Sequence, residues 1–240
     1  ASRTLPLEFS LTSDDVQLQT GDFNADGITD FIVYNQIGNI EIAYSDGESA
    51  DLLKQTDNGI GGVTVVSYAP SSAFENGYLP FVFPVVTSVT RSNSRGNSVT
   101  SRYWYAGALW KPEEREFYGF QTVRVYDPDD HYTESTFLQD DFYFRGRLSR
   151  QAFYTNAQVL RAETIHQWNA EPVFSAQNPD IRFVYLKRTD QFEYDASAKG
   201  RRTAAEYFYG EPAQLGNVTK AVEYGEVDLK TGADILDDAR

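Results

Sequence analysis

The sequence contains no cysteine and no methionine among its 240 residues, and it has only two histidines. The absence of cysteine excludes disulfide scaffolds, thiolate metal sites and cysteine nucleophiles. No apolar run approaches the roughly 18 residues of a membrane span, and the first residues lack the apolar core of a signal peptide. We therefore expect no membrane insertion. Because an initiator methionine is missing, we also expect the numbering to begin inside a longer chain.

Positive charge is scarce as well. The chain has 21 Lys and Arg against 35 Asp and Glu, which gives a formal net charge of −14. An acidic surface repels phosphate backbones and anionic lipid, so we expect no nucleic-acid partner. The hydrophobic content of 41% and the aromatic content of 15% lie far from the composition of disordered chains. The chain should therefore fold around its aromatic and β-branched residues.

Those residues occur in short runs bounded by Gly, Pro, Asn or Asp, for example at residues 40–44, 63–68 and 116–126. Such runs are typical of β-strands, and no helical spacing of apolar residues persists beyond about two turns. We predict an all-β protein built from extended antiparallel sheet. Gly119, inside one of the runs, indicates a bulge or a close backbone approach.

The composition changes between residues 52 and 62, where a compact unit gives way to longer strands. We therefore predict a domain boundary near residue 56, with segments 1–56 and 57–240.

The sharpest local pattern is a loop with oxygen-bearing side chains at positions 1, 3, 5 and 9, which are Asp22, Asn24, Asp26 and Asp30. Ca²⁺ takes roughly six to eight oxygen ligands, and the carbonyl of Ile28 at position 7 can supply another. Position 12 is a valine, which argues against an EF-hand, and the loop runs directly into a strand. We predict a structural Ca²⁺ site in a β-hairpin. A polar β-turn without a metal is the alternative.

Few residues suggest catalysis. His131 and His166 have no nucleophile beside them in the sequence, and no Gly-x-Ser-x-Gly motif is present. Adjacent carboxylates occur at residues 113–114, 129–130, 140–141 and 237–238. Neighbours on a strand point to opposite faces, so these pairs cannot act as a glycosidase pair, although two carboxylates distant in the sequence could, as in a glycoside hydrolase. We predict that the segment is not an enzyme and has no catalytic residues.

The aromatic residues allow a second function. Tyr103, Trp104 and Tyr105, together with Trp110 and Trp168, suit a carbohydrate-stacking platform, although aromatic residues at strand period also build sheet faces. An extracellular calcium-dependent glycan-binding or adhesion module is therefore the alternative function.

The loop at residues 22–30 resembles the FG-GAP/VCBS repeat of integrin-type β-propellers. This resemblance implies that segment 1–56 is a partial β-propeller-like element carrying the calcium hairpin.

A longer resemblance follows it. Residues 52–67, 79–86, 114–120 and 139–147 resemble, in matching order, the middle region of the B component of insecticidal toxin complexes and of related SpvB-type virulence proteins. Residues 192–195 and 216–220 are similar to Rhs/YD-repeat strands.

This second resemblance implies a structural segment of a secreted, extracellular bacterial protein. The segment would contribute to an Rhs-type β-sheet shell that encapsulates or delivers a toxic cargo. Its partners would be other parts of a larger toxin chain or complex, namely propeller blades, the Rhs shell and A- and C-type components. The family's self-cleaving aspartate motif has no counterpart here, so the resemblance implies no proteolysis by this segment.

Overall fold

The structure is a computed structural model. It describes residues 16–35, 38–47, 49, 51–76, 79–174, 178–195, 200–210 and 216–233.

The described residues form fourteen strands and one short 3₁₀ helix, Ser71–Ala73. The strands are β1 Val16–Gly21, β2 Asp30–Asn35, β3 Ile40–Ala43, β4 Gln55–Asp57, β5 Val63–Pro70, β6 Pro84–Ser92, β7 Ser98–Lys111, β8 Glu116–Tyr126, β9 Tyr132–Phe137, β10 Leu148–Tyr154, β11 Leu160–Phe174, β12 Asn178–Tyr194, β13 Gly200–Tyr209 and β14 Val218–Val227. Where the described residues define the register between two neighbouring strands, the strands run antiparallel. The all-β prediction is confirmed. No helix among the described residues is long and apolar enough to span a bilayer.

Chain contacts divide the protein into two compact units. The first contains the described residues up to Phe74 together with Leu79–Ser98. Within it, β1, β2 and β3 form one antiparallel sheet, while β4 pairs with β5 and β5 with β6. Val33 on the central strand β2 is fully buried. This division differs from the boundary near residue 56, which stays a prediction.

The second unit contains Glu75–Tyr78 and the described residues from Val99 onward. Its strands β7 to β14 pair in sequence order, with β11 and β12 the longest at 15 and 17 residues. The fully described connections β7–β8, β8–β9 and β10–β11 contain hydrogen-bonded turns, as expected where each strand pairs with its successor.

One row of side chains crosses all eight strands of this unit. Directly opposed residues in the row are, in order, Trp104, Arg124, Glu134, Ala152, Glu163, Phe192, Arg202 and Val227. We call the side of the sheet that carries this row the ion-paired face. It is the less exposed side: on β10 the buried Ala152 lies between the exposed Gln151 and Phe153, because successive residues of a strand alternate between faces.

Gly119 lies at an irregularity, as predicted. It has φ +88° and Gly107 on the neighbouring strand has φ +68°, a conformation that side chains with a Cβ rarely adopt. The nearly buried Gln139 donates its side-chain amide to both glycine carbonyls, at 2.9 Å to Gly107 and 2.8 Å to Gly119. The β7–β8 register shifts between Ala108 and Trp110. Gln139 thus fixes an irregular part of the strand pair.

Candidate functional site

The predicted calcium loop joins β1 to β2, and three of its side chains fold onto one turn. Oδ1 of Asp22 and Oδ1 of Asn24 both accept the backbone N–H of Asp26, each at 3.1 Å. The second oxygen of Asp22 accepts the N–H of Gly27 at 2.9 Å, and Asn24 Nδ2 donates to Asp26 Oδ2 at 2.9 Å. The remaining oxygen of Asp26 accepts the N–H of Ile28 at 2.7 Å. The structure therefore brings Asp22, Asn24 and Asp26 together.

Asp30, the first residue of β2, is used differently. Its side chain is fully buried, and its two oxygens accept the N–H groups of Phe23 at 3.0 Å and Ser45 at 2.8 Å. Ser45 also donates its hydroxyl to the carbonyl of Thr29 at 2.7 Å. Asp30 thereby ties both ends of the loop region to the residues that follow β3.

The donor set of this loop fits calcium in part. All of the predicted side-chain ligand atoms are oxygens, which Ca²⁺ prefers. An oxygen that accepts one N–H retains a further lone pair that could bind a metal. Among the described residues, however, no group of three or more His, Cys, Asp or Glu side chains could hold a metal. The two backbone N–H groups that Asp30 accepts already explain why its carboxylate is buried, without a metal. The calcium site at Asp22, Asn24, Asp26, Ile28 and Asp30 stays a prediction.

Each histidine has a structural partner. His131 Nδ1 accepts the N–H of Asn156 at 3.1 Å, and His166 Nδ1 lies 3.1 Å from the hydroxyl of Thr189. Burial lowers the pKa of His166, because a partly desolvated imidazolium is less stable than the neutral ring. At neutral pH His166 is therefore a neutral residue within the sheet.

Members of the adjacent carboxylate pairs form ion pairs or hydrogen bonds with other residues of the protein. Asp130 pairs with Arg102, Glu114 accepts the hydroxyl of Tyr118, and Asp141 accepts the N–H of Tyr143 at 2.7 Å. These contacts give one carboxylate of each of these three pairs a role in the structure, and the pair at residues 237–238 lies outside the described residues.

Two tryptophans of the predicted aromatic platform are covered by arginine. The guanidinium carbon of Arg124 lies 4.6 Å from the ring centroid of Trp104, and that of Arg147 lies 4.8 Å from Trp168. Trp168 also donates its indole N–H to the carbonyl of Leu148 at 2.8 Å. Because a guanidinium covers one face of each ring, these contacts favour a role in the sheet face over a glycan platform.

The ion-paired face carries a network of ion pairs that the sequence pattern did not predict. Arg124 binds Glu134 at 2.7 Å, and Arg150 on β10 contacts both Glu134 at 3.5 Å and Glu163 at 2.6 Å. The other oxygen of Glu163 accepts the hydroxyl of Tyr194 at 2.8 Å. Charges of alternating sign therefore link β8, β9, β10 and β11, and the neutral hydroxyl of Tyr194 extends the network to β12.

A second cluster centres on Asp190, which is only 1% exposed. Its carboxylate contacts the guanidinium groups of Arg188 at 2.9 Å and Arg202 at 3.0 Å. Arg188 also binds Glu206 at 2.8 Å and the carbonyl of Gly232 at 3.0 Å. The hydrogen bonds with Asp190 raise the pKa of Arg188, so Arg188 retains its positive charge. The signal in the sequence was the Arg-x-Asp spacing, which places residues 188 and 190 on one strand face.

Comparison with known proteins gives the same assignment as the resemblance. The family described as "Insecticide toxin TcdB middle/N-terminal region" matches residues 2–151. A search of curated proteins finds no match.

Among solved structures, the chain is similar to the Photorhabdus luminescens Tc holotoxin pore at 15% identity, with a TM-score of 0.74 over 93% of this chain and 14% of that chain. It is also similar to the TcdB2–TccC3 structure without the hypervariable C-terminal region, at 16% identity and a TM-score of 0.70 over 92% and 14% of the two chains. These likenesses show the fold, and this chain spans 14% of the length of those structures. Because the family match covers more than half of the chain, the chain belongs to the TcdB middle/N-terminal region family, as the resemblance to toxin-complex B components predicted.

Proposed function

We propose that this chain is a non-catalytic wall segment of a secreted bacterial toxin complex, in which its sheet forms part of a shell that encapsulates or delivers a toxic cargo. Its partners are other parts of that larger toxin chain or complex. The observation that carries the proposal is the run of eight sequentially paired strands in the second unit, where ion pairs connect neighbouring strands on the less exposed face.

The burial pattern supports this role. The second unit's most buried apolar residues are Ala108, Tyr118, Ala152, Ala204 and Val227. Most of these residues are small, and the positions between them carry charged side chains. A globular domain buries a sheet face against a second apolar layer. Here neighbouring strands are instead joined laterally by cross-strand pairs, each worth about 0.2–1 kcal/mol. A sheet stabilised within its own plane suits a wall.

The comparisons support a place for this chain in a toxin complex. The matched structures are described as a holotoxin pore and as TcdB2–TccC3. The family match supports a role as a structural part of such an assembly and, with it, a secreted location.

The wall role predicts that the two faces of the sheet differ in accessibility in the assembled toxin. Because this chain has no cysteine, an introduced cysteine is the only thiol within it, and mass spectrometry of the digested toxin measures the label on its peptide. Gln121→Cys and Thr122→Cys place thiols on opposite faces of β8. A bulky maleimide should label one of the two much more slowly in the assembled full-length toxin than in this chain alone.

The labelling rate in this chain alone is the control, since Thr122 is less exposed than Gln121 even there. Equal slowing of both thiols on assembly, or no slowing of either, would contradict the wall role.

We propose in addition that the loop at residues 22–30 binds structural Ca²⁺ through Asp22, Asn24, Asp26, Asp30 and the carbonyl of Ile28. The convergence of the first three side chains supports it. With a Kd of about 0.1 mM, about 1 mM Ca²⁺ would stabilise the folded chain by about 1.4 kcal/mol.

Thermal unfolding with Ca²⁺ and with a chelator tests this. Asp26→Ala should abolish the calcium-dependent increase in Tm, whereas Asp51→Ala, at an exposed position outside the loop, should retain it. If Asp26→Ala lowers Tm equally under both conditions, the loop is a polar turn only.

A further inference from the structure

A cleft of about 460 Å³ lies in the second unit between the segment that joins β9 to β10 and the strand β12. Its lining residues are Phe142, Tyr143, Arg145, Gly146, Arg147 and Val184. Phe142 is 48% exposed, so apolar aromatic surface is open to a partner at this place.

Three arginines surround the cleft, and each guanidinium stacks on an aromatic ring. The distances from guanidinium carbon to ring centroid are 3.9 Å for Arg145 on Phe142, 4.8 Å for Arg147 on Trp168 and 5.0 Å for Arg182 on Tyr143. Tyr143, which lines the cleft, is itself held by a hydrogen bond from its hydroxyl to the carbonyl of Asp180. Stacking restricts these flexible side chains before any partner arrives.

The three arginines differ in their acidic partners. Arg145 binds Glu116 at 2.9 Å. Within the part of the chain that the structure describes, neither Arg147 nor Arg182 has a carboxylate within ion-pair distance. That is unexpected in a protein with a net charge of −14, where acidic groups are plentiful. Two preorganised cations beside an open cleft therefore have no ion-pair partner among the described residues.

A stacked guanidinium uses its face and keeps its in-plane N–H groups for hydrogen bonding, which suits a carboxylate. We propose that this cleft binds a short acidic peptide segment of a protein partner, with carboxylates on Arg147 and Arg182 and apolar groups on Phe142. A long polyanion such as nucleic acid would extend beyond the cleft onto an acidic surface. A short peptide confines its charge to the cleft. This inference adds a partner surface to the wall role and does not depend on it.

The test is binding of a dye-labelled octaglutamate peptide to the folded chain, followed by fluorescence anisotropy at about 0.1 M salt, where charges more than about 10 Å apart are largely screened. Arg147→Gln with Arg182→Gln should weaken binding about five- to tenfold, as expected for losing two charge-assisted contacts at a partly exposed site. Arg91→Gln with Arg95→Gln removes the same charge from the first unit and should leave the affinity unchanged.

A glycine–serine peptide with the same dye should not bind. The exposed single variant Arg182→Gln should weaken binding about two- to threefold, and it keeps the test available if the double variant does not fold. The proposal is overturned if octaglutamate does not bind, if both double variants weaken binding equally, if neither does, or if the uncharged peptide binds as tightly. Displacement of the peptide by inorganic phosphate at the same total charge would also overturn the peptide assignment, because it would indicate a simple anion site.

Discussion

Among the described residues, each unit buries one aspartate almost completely, and the two carboxylates are satisfied by different hydrogen-bond partners. Asp30 is 0% exposed and accepts two backbone N–H groups, whereas Asp190 is 1% exposed and lies between the guanidinium groups of Arg188 and Arg202. In the first unit, the dipoles of two backbone N–H groups hold the loop at residues 22–30 in place. In the second, full charges join two strands. A buried carboxylate thus shapes local backbone in one unit and determines strand association in the other.

The largest expected effect comes from removing the charge at the second site. Asp190→Asn leaves Arg188 and Arg202 without their buried counter-charge, so we expect it to destabilise the second unit by about 3–5 kcal/mol. All three tryptophans, at residues 104, 110 and 168, lie in this unit. Urea unfolding followed by tryptophan fluorescence therefore measures the change.

Glu193→Gln is the matched control for that experiment, because it removes one negative charge from an exposed position on the same strand. Equal destabilisation by the two variants would show that net charge, and not the Asp190 cluster, sets the stability.

Asp30→Asn should have a smaller and more local effect. The amide presents one oxygen where the carboxylate presented two, so one of the two backbone N–H groups loses its acceptor at a cost of about 1–3 kcal/mol. Hydrogen exchange in β2 and β3 should accelerate, while the tryptophan transition stays in place. Asp51→Asn, at an exposed residue, should change neither. A shift of the tryptophan transition by Asp30→Asn would mean that the two sites are coupled.

Alkaline pH should lower the stability of the second unit, by less than either substitution above. Burial, and then hydrogen bonds to Glu114 and Glu163 respectively, raise the pKa of Tyr118 and of Tyr194 to about 12. Because the unfolded value is about 10, the folded state retains these protons longer. Stability should therefore fall as pH rises from about 10 to about 12.

Tyrosinate absorbance and urea unfolding across that pH range provide the measurement. Tyr118→Phe and Tyr194→Phe together should flatten the pH dependence, since neither ring can then ionise. An unchanged slope in the double variant would show that other groups cause the alkaline loss.

Most strands could be predicted because β-branched and aromatic runs between turn residues carry the signal locally. The predicted run at residues 116–126 coincides with β8. The strand β1, Val16–Gly21, was missed because glutamines alternate with its few apolar residues, and β4, Gln55–Asp57, was missed because three polar residues carry little signal. The turn of the β4–β5 hairpin, where glycine is a typical turn signal, contains Gly59, Gly61 and Gly62.

The candidate site was predicted less completely. The spacing of Asp22, Asn24 and Asp26 indicated a tight loop, and the structure folds these side chains onto one turn. The attachment of Asp30 to Ser45 was not predictable, because it depends on how β2 and β3 pair. The Asp190 cluster was missed for the same reason: its partner Arg202 lies on another strand, and only the register brings the two together.

The sequential order of β7 to β14 has a consequence for how such a sheet arises. Each strand finds its template in the strand made just before it, so pairing needs only short-range chain closure, which is favourable for fast folding. The sheet can therefore grow in one direction while the polypeptide is still being synthesised, because at each stage the edge strand is the one that was made last.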